Sequence, residues 1–128
     1  MTTETDYAGP GKPVVGILGG MGPFATADFM TKLAARTPVT NESDHLPLAV
    51  WSNPEIPDRT AALLGTGPSP VPAMADGIAR LVAMGARTVA VPCNTAHAFF
   101  AEIRASAPVD LFDMIDLTLA EVVARYPE

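Results

Sequence analysis

Short apolar runs alternate with longer helical patterns along most of this sequence, and this alternation limits the folds open to it. The runs are rich in β-branched residues, whereas the patterns repeat their apolar residues at helical spacing. We expect strands at 14–18, 47–51, 87–91 and 109–112, and helices at 24–35, 73–85, 95–104 and 115–124. Strands separated by helices form a parallel sheet with right-handed crossovers. The sequence therefore predicts an α/β fold, a doubly wound parallel four-stranded sheet flanked by helices, with strand order 2-1-3-4.

The length and composition fit one domain of this kind. The chain has 128 residues, of which 48% are hydrophobic and 17% are charged, so it can bury one core and has little excess for a second. Residues 1–12 are polar and contain Gly9-Pro10-Gly11, which predicts a disordered lead-in. We expect residues 13–128 to form a single α/β domain.

Charge and cysteine content argue against several classes of protein. The net charge is −6 and no predicted face carries a cluster of lysine or arginine, which argues against nucleic-acid binding and against an anionic membrane surface. The amino terminus lacks the basic and apolar segments of a signal peptide, and no apolar run is long enough to span a membrane. A single cysteine cannot form an intramolecular disulfide, so we expect a soluble cytoplasmic protein.

The loops that follow the four strands are expected to form the functional site. The carboxyl ends of parallel strands share one edge of the sheet, and open α/β sheets bind ligands at that edge. A single crevice there would collect the predicted site residues, which are Met21, Asn53, Arg59, Cys93, Asn94 and Thr95.

Cys93, the only cysteine, lies between a predicted strand and a predicted helix. Asn94 or Thr95 could cap that helix, and the unpaired N–H groups of its first turn would favour thiolate over thiol. Cys93 is therefore a candidate base or nucleophile. A lone cysteine is also often a small buried apolar residue, and spacing alone leaves both interpretations open.

The glycine-rich loop at 19–23 has two possible uses. Residues 20–25 satisfy the G-x-G-x-x-A pattern of dinucleotide-binding loops, but the second strand ends in Trp51-Ser52-Asn53, without the acidic residue that would hold a ribose. We favour the second use, in which backbone N–H groups approach a small carboxylate at the start of the helix.

Two further side chains could serve such a site. The connection at 52–72 is long and rich in proline and glycine, which is typical of a lid, and it carries Arg59; Arg59 could equally be a solvated surface residue. His97 lies one helical turn after Cys93 and could stabilise a thiolate if charged, or have no role. A Cys93/His97 pair could also indicate a cysteine hydrolase, but no third member is recognisable. His45 lies in a polar connection, where we expect it to be exposed to solvent.

Three motifs together resemble the aspartate/glutamate racemase family. They are GILGGMGP at 16–23, NPEIPDRT at 53–60 and PCNTAH at 92–97, and they occur in the family's order and on matching elements. The resemblance extends from Val14 to about Val123 and implies a racemase that needs neither pyridoxal phosphate nor metal. Enzymes of this family place one cysteine on each face of the substrate's α-carbon.

The resemblance also assigns roles to the predicted site residues. Cys93 matches the first of the two cysteines, and it would act as the acid–base residue. Asn94 and Thr95 would hold the α-carboxylate, and Arg59 would meet the side-chain carboxylate. The same pocket would be lined by Met21 and Asn53.

The chain departs from the family in length and in cysteine count. Family members are about twice as long and consist of two similar halves, and this chain matches the first half and lacks a second cysteine. Three explanations stay open: a truncated protein, a natural half that has lost racemisation, or two copies that each donate Cys93 to a shared cleft. We expect a racemase domain acting on aspartate or glutamate. The alternative is a catalytically silent half-domain that binds a small dicarboxylate or pairs with a partner chain.

Overall fold

The computed structural model describes residues 11–128 and has the predicted architecture. Four parallel strands form one sheet in the order β2-β1-β3-β4, which confirms the predicted fold class and strand order. The strands are β1 (Val14–Gly19), β2 (Leu48–Ser52), β3 (Ala86–Ala90) and β4 (Asp110–Leu111). The predicted lead-in at 1–12 lies outside the described residues except for its last two positions. One of these is Lys12, whose Nζ donates hydrogen bonds to the carbonyl oxygens of Ser43 and His45.

Five α-helices flank this sheet within residues 11–128. They are α1 (Pro23–Arg36), α2 (Arg59–Leu63), α3 (Val71–Ala83), α4 (Phe100–Ser106) and α5 (Met114–Arg125), and two short 3-10 helices span Glu42–Asp44 and Thr95–Phe99. The longest described helix has 14 residues, and no helix in this part of the chain combines the length and apolar character needed to cross a bilayer.

Helix α3 forms the main layer over one face of the sheet. It packs against β1, β2 and β3 and against α4, and its apolar side chains Met74, Ile78 and Leu81 are buried. It spans 71–83 where the sequence predicted 73–85. As predicted, a glycine follows its end: Gly85 has φ +98°, a conformation that favours glycine because it has no Cβ.

Gly77 sets the distance between α3 and the sheet. A Cβ at this position would collide with the side chain of Leu18 in β1 and come within 3.0 Å of Cδ1 of Trp51 in β2. The guanidinium of Arg80, one turn further along α3, covers the Trp51 ring at 4.6 Å from its centroid. The helix therefore lies on the sheet as closely as its backbone permits.

Helices α1 and α5 bury little of their surface. Right-handed crossovers place α1 on the face opposite α3, and Thr26 is its only buried residue. Helix α5 buries no residue at all. The large apolar side chains exposed on it are Ile115, Leu117, Leu119, Val122 and Val123, and Tyr126 at its C-cap is also exposed. Three of these, at 115, 119 and 122, are spaced so that they share one helical face.

The connection between β2 and α3 differs from the sequence prediction. We expected an irregular segment at 52–72, but α2 forms within it. Oδ1 of Asp58 accepts hydrogen bonds from the N–H groups of Thr60 and Ala61, at 2.9 and 3.3 Å, and so caps the start of α2. This cap offsets the breaking effect of the two preceding prolines, Pro54 and Pro57.

Candidate functional site

The loops after β1 and β2 are joined directly at the carboxyl edge of the sheet. The N–H of Asn53 donates to the carbonyl oxygen of Gly19 at 3.0 Å, which extends the β1–β2 pairing by one residue. Gly20 has φ +96°, and a Cβ on it would overlap the backbone of Asn53. Only glycine fits here, for both steric and conformational reasons. The side chain of Asn53 shapes its own loop, because Oδ1 accepts the N–H of Glu55 at 2.9 Å.

Thr26 fixes the conformation of the glycine loop from the first turn of α1. Its Oγ1 accepts the N–H of Gly20 at 2.9 Å and donates to the carbonyl oxygen of Gly22 at 3.1 Å, and the residue is only 3% exposed. The Gly20 amide therefore already has an acceptor. The sequence predicted that N–H groups of this loop approach a carboxylate, and the Gly20 N–H is not free to do so. Sequence reasoning missed Thr26. A threonine four residues after the last glycine of the loop was the available signal.

Met21 and Cys93 are both part of the apolar core. The same buried cluster includes Ile56, from the loop after β2. Each of these three loops, which follow parallel strands, thus contributes one residue to the core. Met21 is 5% exposed and Cys93 is 9% exposed, so the thiol is more buried than an open crevice would require.

The polar surroundings of Cys93 are few and local. Its Sγ lies 3.5 Å from Oγ1 of Thr95, within hydrogen-bonding distance for a sulfur atom. Its N–H donates to the carbonyl oxygen of Val91 at 2.8 Å, and its own carbonyl oxygen is bonded to the ring of His97. The backbone of Cys93 is therefore fixed on both sides.

The segment after Cys93 differs from the single helix predicted at 95–104. A 3-10 helix, Thr95–Phe99, precedes the short helix α4. Asn94 is in the αR conformation and makes no side-chain cap, and both Asn94 and Thr95 are exposed to solvent. The predicted capping is wrong, and the argument that a helix terminus favours the thiolate loses its structural basis. What the structure offers the thiol instead is the Thr95 hydroxyl.

His97 does not face the thiol, contrary to one of the two sequence interpretations. Its Nδ1 is 2.8 Å from the carbonyl oxygen of Cys93, and its Nε2 accepts the N–H of Met114 at 3.1 Å. The ring stacks on Phe100 with centroids 4.0 Å apart. His97 thus links the Cys93 loop to the start of α5, seventeen residues further along the chain.

Arg59 begins α2, which packs against the 3-10 helix Thr95–Phe99 next to Cys93. Its Nη1 donates to the carbonyl oxygens of Ile56 and Pro57, each at 3.2 Å. Its Nε is buried and has no acceptor, and no carboxylate in residues 11–128 forms a salt bridge with it. The guanidinium is half-buried, so the interpretation as a solvated surface residue does not hold. A buried donor without a partner is costly, and an anion could satisfy it.

Two surface pockets of residues 11–128 lie away from this edge. An open one of about 390 Å³ runs along α5 and is lined by Leu117, Thr118, Glu121, Val122, Arg125 and Tyr126. A smaller one of about 90 Å³ lies between α1 and β2. Neither includes a predicted site residue, so the site at Cys93 is an edge of the sheet and not one of these pockets. In the described part of the chain, no three His, Cys, Asp or Glu side chains converge in a way that could hold a metal ion.

The fold places the chain in a class of protein, the doubly wound α/β domains, which as a rule bind ligands at the carboxyl ends of their strands. The family model for Asp/Glu/Hydantoin racemase matches residues 18–127, and the chain belongs to that family. This confirms the resemblance drawn from the three sequence motifs.

Individual relatives agree with this family. The chain is 29% identical over 115 residues to the broad specificity amino-acid racemase RacX of Bacillus subtilis (strain 168), and the match covers 85% of this chain and 49% of that protein. The structure of this chain is similar to that of an aspartate racemase of Picrophilus torridus, with a TM-score of 0.84 and 38% identity. That match covers 90% of this chain and 49% of the other. An aspartate racemase homologue from Pyrococcus horikoshii OT3, at TM-score 0.72 and 21% identity, shares the fold over 90% of this chain and 50% of its own. The chain spans about half the length of these relatives.

Proposed function

We propose that this chain provides one catalytic face of an amino-acid racemase that acts on aspartate or glutamate without pyridoxal phosphate or metal. The observation that carries the proposal is the pairing of a thiol with an unneutralised guanidinium on adjacent elements. Arg59 begins α2, which contacts the 3-10 helix that follows Cys93, and Nε of Arg59 is a buried donor without an acceptor. A dicarboxylate could place its α-carbon near the thiol and its far carboxylate at Arg59.

The chemistry explains why a thiol beside hydrogen-bond donors suits this reaction. The Cys93 thiolate takes the α-proton, the electron pair of the C–H bond passes into the adjacent carboxylate, and Cys93 becomes a thiol. An α-proton beside a carboxylate is very weakly acidic, so donors must stabilise the charge that develops on the carboxylate oxygens. The exposed Asn94 and Thr95 can supply these donors, and Met21 and Asn53 border the same edge.

Inversion needs a second proton donor on the opposite face of the α-carbon. Cys93 is the only cysteine of the sequence, so these residues supply one face only. We propose that the second acid comes from a second half of a longer protein or from Cys93 of a second copy across a twofold axis. The exposed apolar face of α5 supports association of either kind. Sedimentation distinguishes these two sources of the second acid. A chain that is monomeric at every concentration cannot receive the acid from a second copy. The proposed compartment is the cytoplasm, whose reducing conditions keep a thiol reactive.

The alternative function is binding without catalysis. It is favoured by one observation, the 9% exposure of Cys93 among apolar side chains. In that case the chain would hold a small dicarboxylate at Arg59, or pair with a partner chain, and leave its α-proton in place.

Deuterium wash-in separates these functions. The chain is incubated with L-aspartate or L-glutamate in heavy water, and label at the α-carbon is measured by NMR while chirality is measured by chromatography. One competent face introduces label with retention, whereas two faces also produce the D enantiomer. Binding of either amino acid without any label would favour the silent domain.

Arg59→Gln tests the recognition of the dicarboxylate. Loss of a charge-assisted contact costs about 1.5–3 kcal/mol, which corresponds to roughly a 10- to 150-fold rise in KM or Kd. Arg87→Gln is the matched control, because Arg87 is exposed at the amino end of β3, away from the site. Equal effects of the two substitutions would show that only net charge had been measured.

A further inference from the structure

We infer that His97 is a positioning residue for the proposed proton transfer, and that it acts in its neutral form by holding the backbone of Cys93 against the start of α5. This inference rests on the proposed function. His97 touches no substrate in it, since both ring nitrogens are committed to backbone groups. Its effect on the reaction would pass through the orientation of Cys93.

The two hydrogen bonds determine which ring nitrogen carries the proton. The N–H of Met114 can only donate, so Nε2 of His97 must accept and cannot hold a proton. The carbonyl oxygen of Cys93 can only accept, so Nδ1 must carry the proton and donate. The geometry therefore requires the neutral Nδ1–H tautomer. A doubly protonated ring would turn the Met114 contact into two opposed donors.

Charged and aromatic neighbours surround this ring. Phe100 of α4 stacks on the His97 ring. The guanidinium of Arg104 lies over the Phe100 ring, 5.8 Å from its centroid. The carboxylate of Asp113 precedes Met114 and pairs with Arg104 at 3.5 Å. The Cys93 thiol is the remaining titratable group on the loop that His97 holds.

The hydrogen bond to Cys93 completes the restraint of that residue. Its N–H is held by the carbonyl oxygen of Val91 at 2.8 Å, and its carbonyl oxygen is held by His97. With both peptide groups fixed, only rotation about χ1 moves the sulfur, and Thr95 Oγ1 at 3.5 Å limits that rotation. Releasing the carbonyl oxygen would let the loop shift, and a displacement of about 1 Å at a reacting group can cost on the order of 100-fold in rate.

Two substitutions of His97 separate its two hydrogen bonds. In His97→Asn the side-chain amide occupies the place of Nδ1 and can still donate to Cys93, while the bond from Met114 is lost. In His97→Gln the longer side chain can still accept from Met114, and the bond to Cys93 is lost. Each variant removes one hydrogen bond, so a merely structural role predicts similar losses in both. His97→Phe keeps the ring and its stack on Phe100 and removes both bonds.

The readouts are α-deuterium exchange and the rate at which iodoacetamide alkylates the thiol. We expect His97→Asn to exchange label at least about tenfold faster than His97→Gln and His97→Phe, with kcat affected more than KM. Equal exchange in His97→Asn and His97→Gln would overturn the inference.

The tautomer is measured in the wild-type protein, independently of any variant's folding. Nitrogen-15 NMR of the imidazole should show protonated Nδ1 and unprotonated Nε2 near neutral pH, and the Nε2–H tautomer would refute the inference. If wild-type protein exchanges no label, the proposed function fails. In that case, different alkylation rates of Cys93 in His97→Asn and His97→Gln would still support the positioning of Cys93 by His97. Identical rates would refute it.

Discussion

Replacing Thr26 by valine should destabilise the glycine loop by an amount that the structure allows to be estimated. Valine has nearly the shape of threonine, so the change removes the hydroxyl and little else. The buried N–H of Gly20 then loses its acceptor, at a cost of about 1–3 kcal/mol for an unsatisfied buried donor. The carbonyl oxygen of Gly22 loses the hydroxyl as a donor, but it keeps the N–H of Thr26 at 3.2 Å, and Gly22 is exposed to water. We expect a loss of about 2 kcal/mol in the free energy of unfolding.

Urea denaturation of the wild type and two variants measures this loss. Thr31→Val is the matched control, because Thr31 lies on the same helix and its hydroxyl donates to the Ala27 carbonyl oxygen at an exposed position. The control should change stability by no more than about 0.5 kcal/mol. The reasoning is refuted if Thr26→Val falls within that same range, or if both variants lose equal stability.

Two other substitutions follow from the packing and from the start of α5. Gly77→Ala should lower stability by about 1–3 kcal/mol in thermal unfolding, because its Cβ would collide with Leu18 and approach Trp51; a gain of the size expected from helix propensity alone would contradict this. The backbone N–H of Asp116 holds the pKa of the Asp113 carboxyl below its usual value. Ionised Asp113 therefore stabilises the fold above about pH 4, and this contribution is lost as pH falls through the lowered pKa. Asp113→Asn can still accept that hydrogen bond but should lose stability less steeply in acid, and parallel curves of unfolding free energy against pH for the two proteins would contradict the assignment.

Local patterns were sufficient to predict the sheet and most of the helices. The apolar runs around Ile17 and Val89 are buried strands, and the helical spacing of Met74, Ile78 and Leu81 is the buried face of α3. These predictions succeed because a strand or helix carries its periodicity within a single stretch of sequence. The order of the four strands then follows from the alternation and from the handedness of the crossovers.

The parts that sequence reasoning missed depend on contacts between distant residues or on one side chain. Asp58 starts α2 directly after two prolines, and a capping residue in such a stretch does not by itself predict a helix. The spacing of four residues between Cys93 and His97 left open whether His97 stabilises the thiolate or has no role, whereas its ring accepts a hydrogen bond from Met114, seventeen residues further along the chain. The apolar spacing of α5 predicted the helix correctly, but periodicity cannot tell which surface covers it.

The loops that carry the predicted site residues follow the carboxyl ends of the strands, but the environment of Cys93 and Arg59 was not foreseen. Met21 and Cys93 pack in one cluster because the carboxyl ends of β1 and β3 are adjacent in the sheet. The burial of the thiol and the unpaired Nε of Arg59 depend on side-chain packing that no local pattern encodes. The predicted roles of these residues in catalysis therefore call for a direct chemical test.

Comparison of α-deuterium exchange by the wild-type chain and by Cys93→Ser tests the central claim most directly. The replacement is nearly isosteric, so unfolding curves should overlap while a weakly acidic hydroxyl replaces the thiol. We predict that wild-type protein introduces deuterium at the α-carbon of aspartate or glutamate and that Cys93→Ser does not. Label entering at the same rate with both proteins, or with neither while the thiol is intact, would contradict the account.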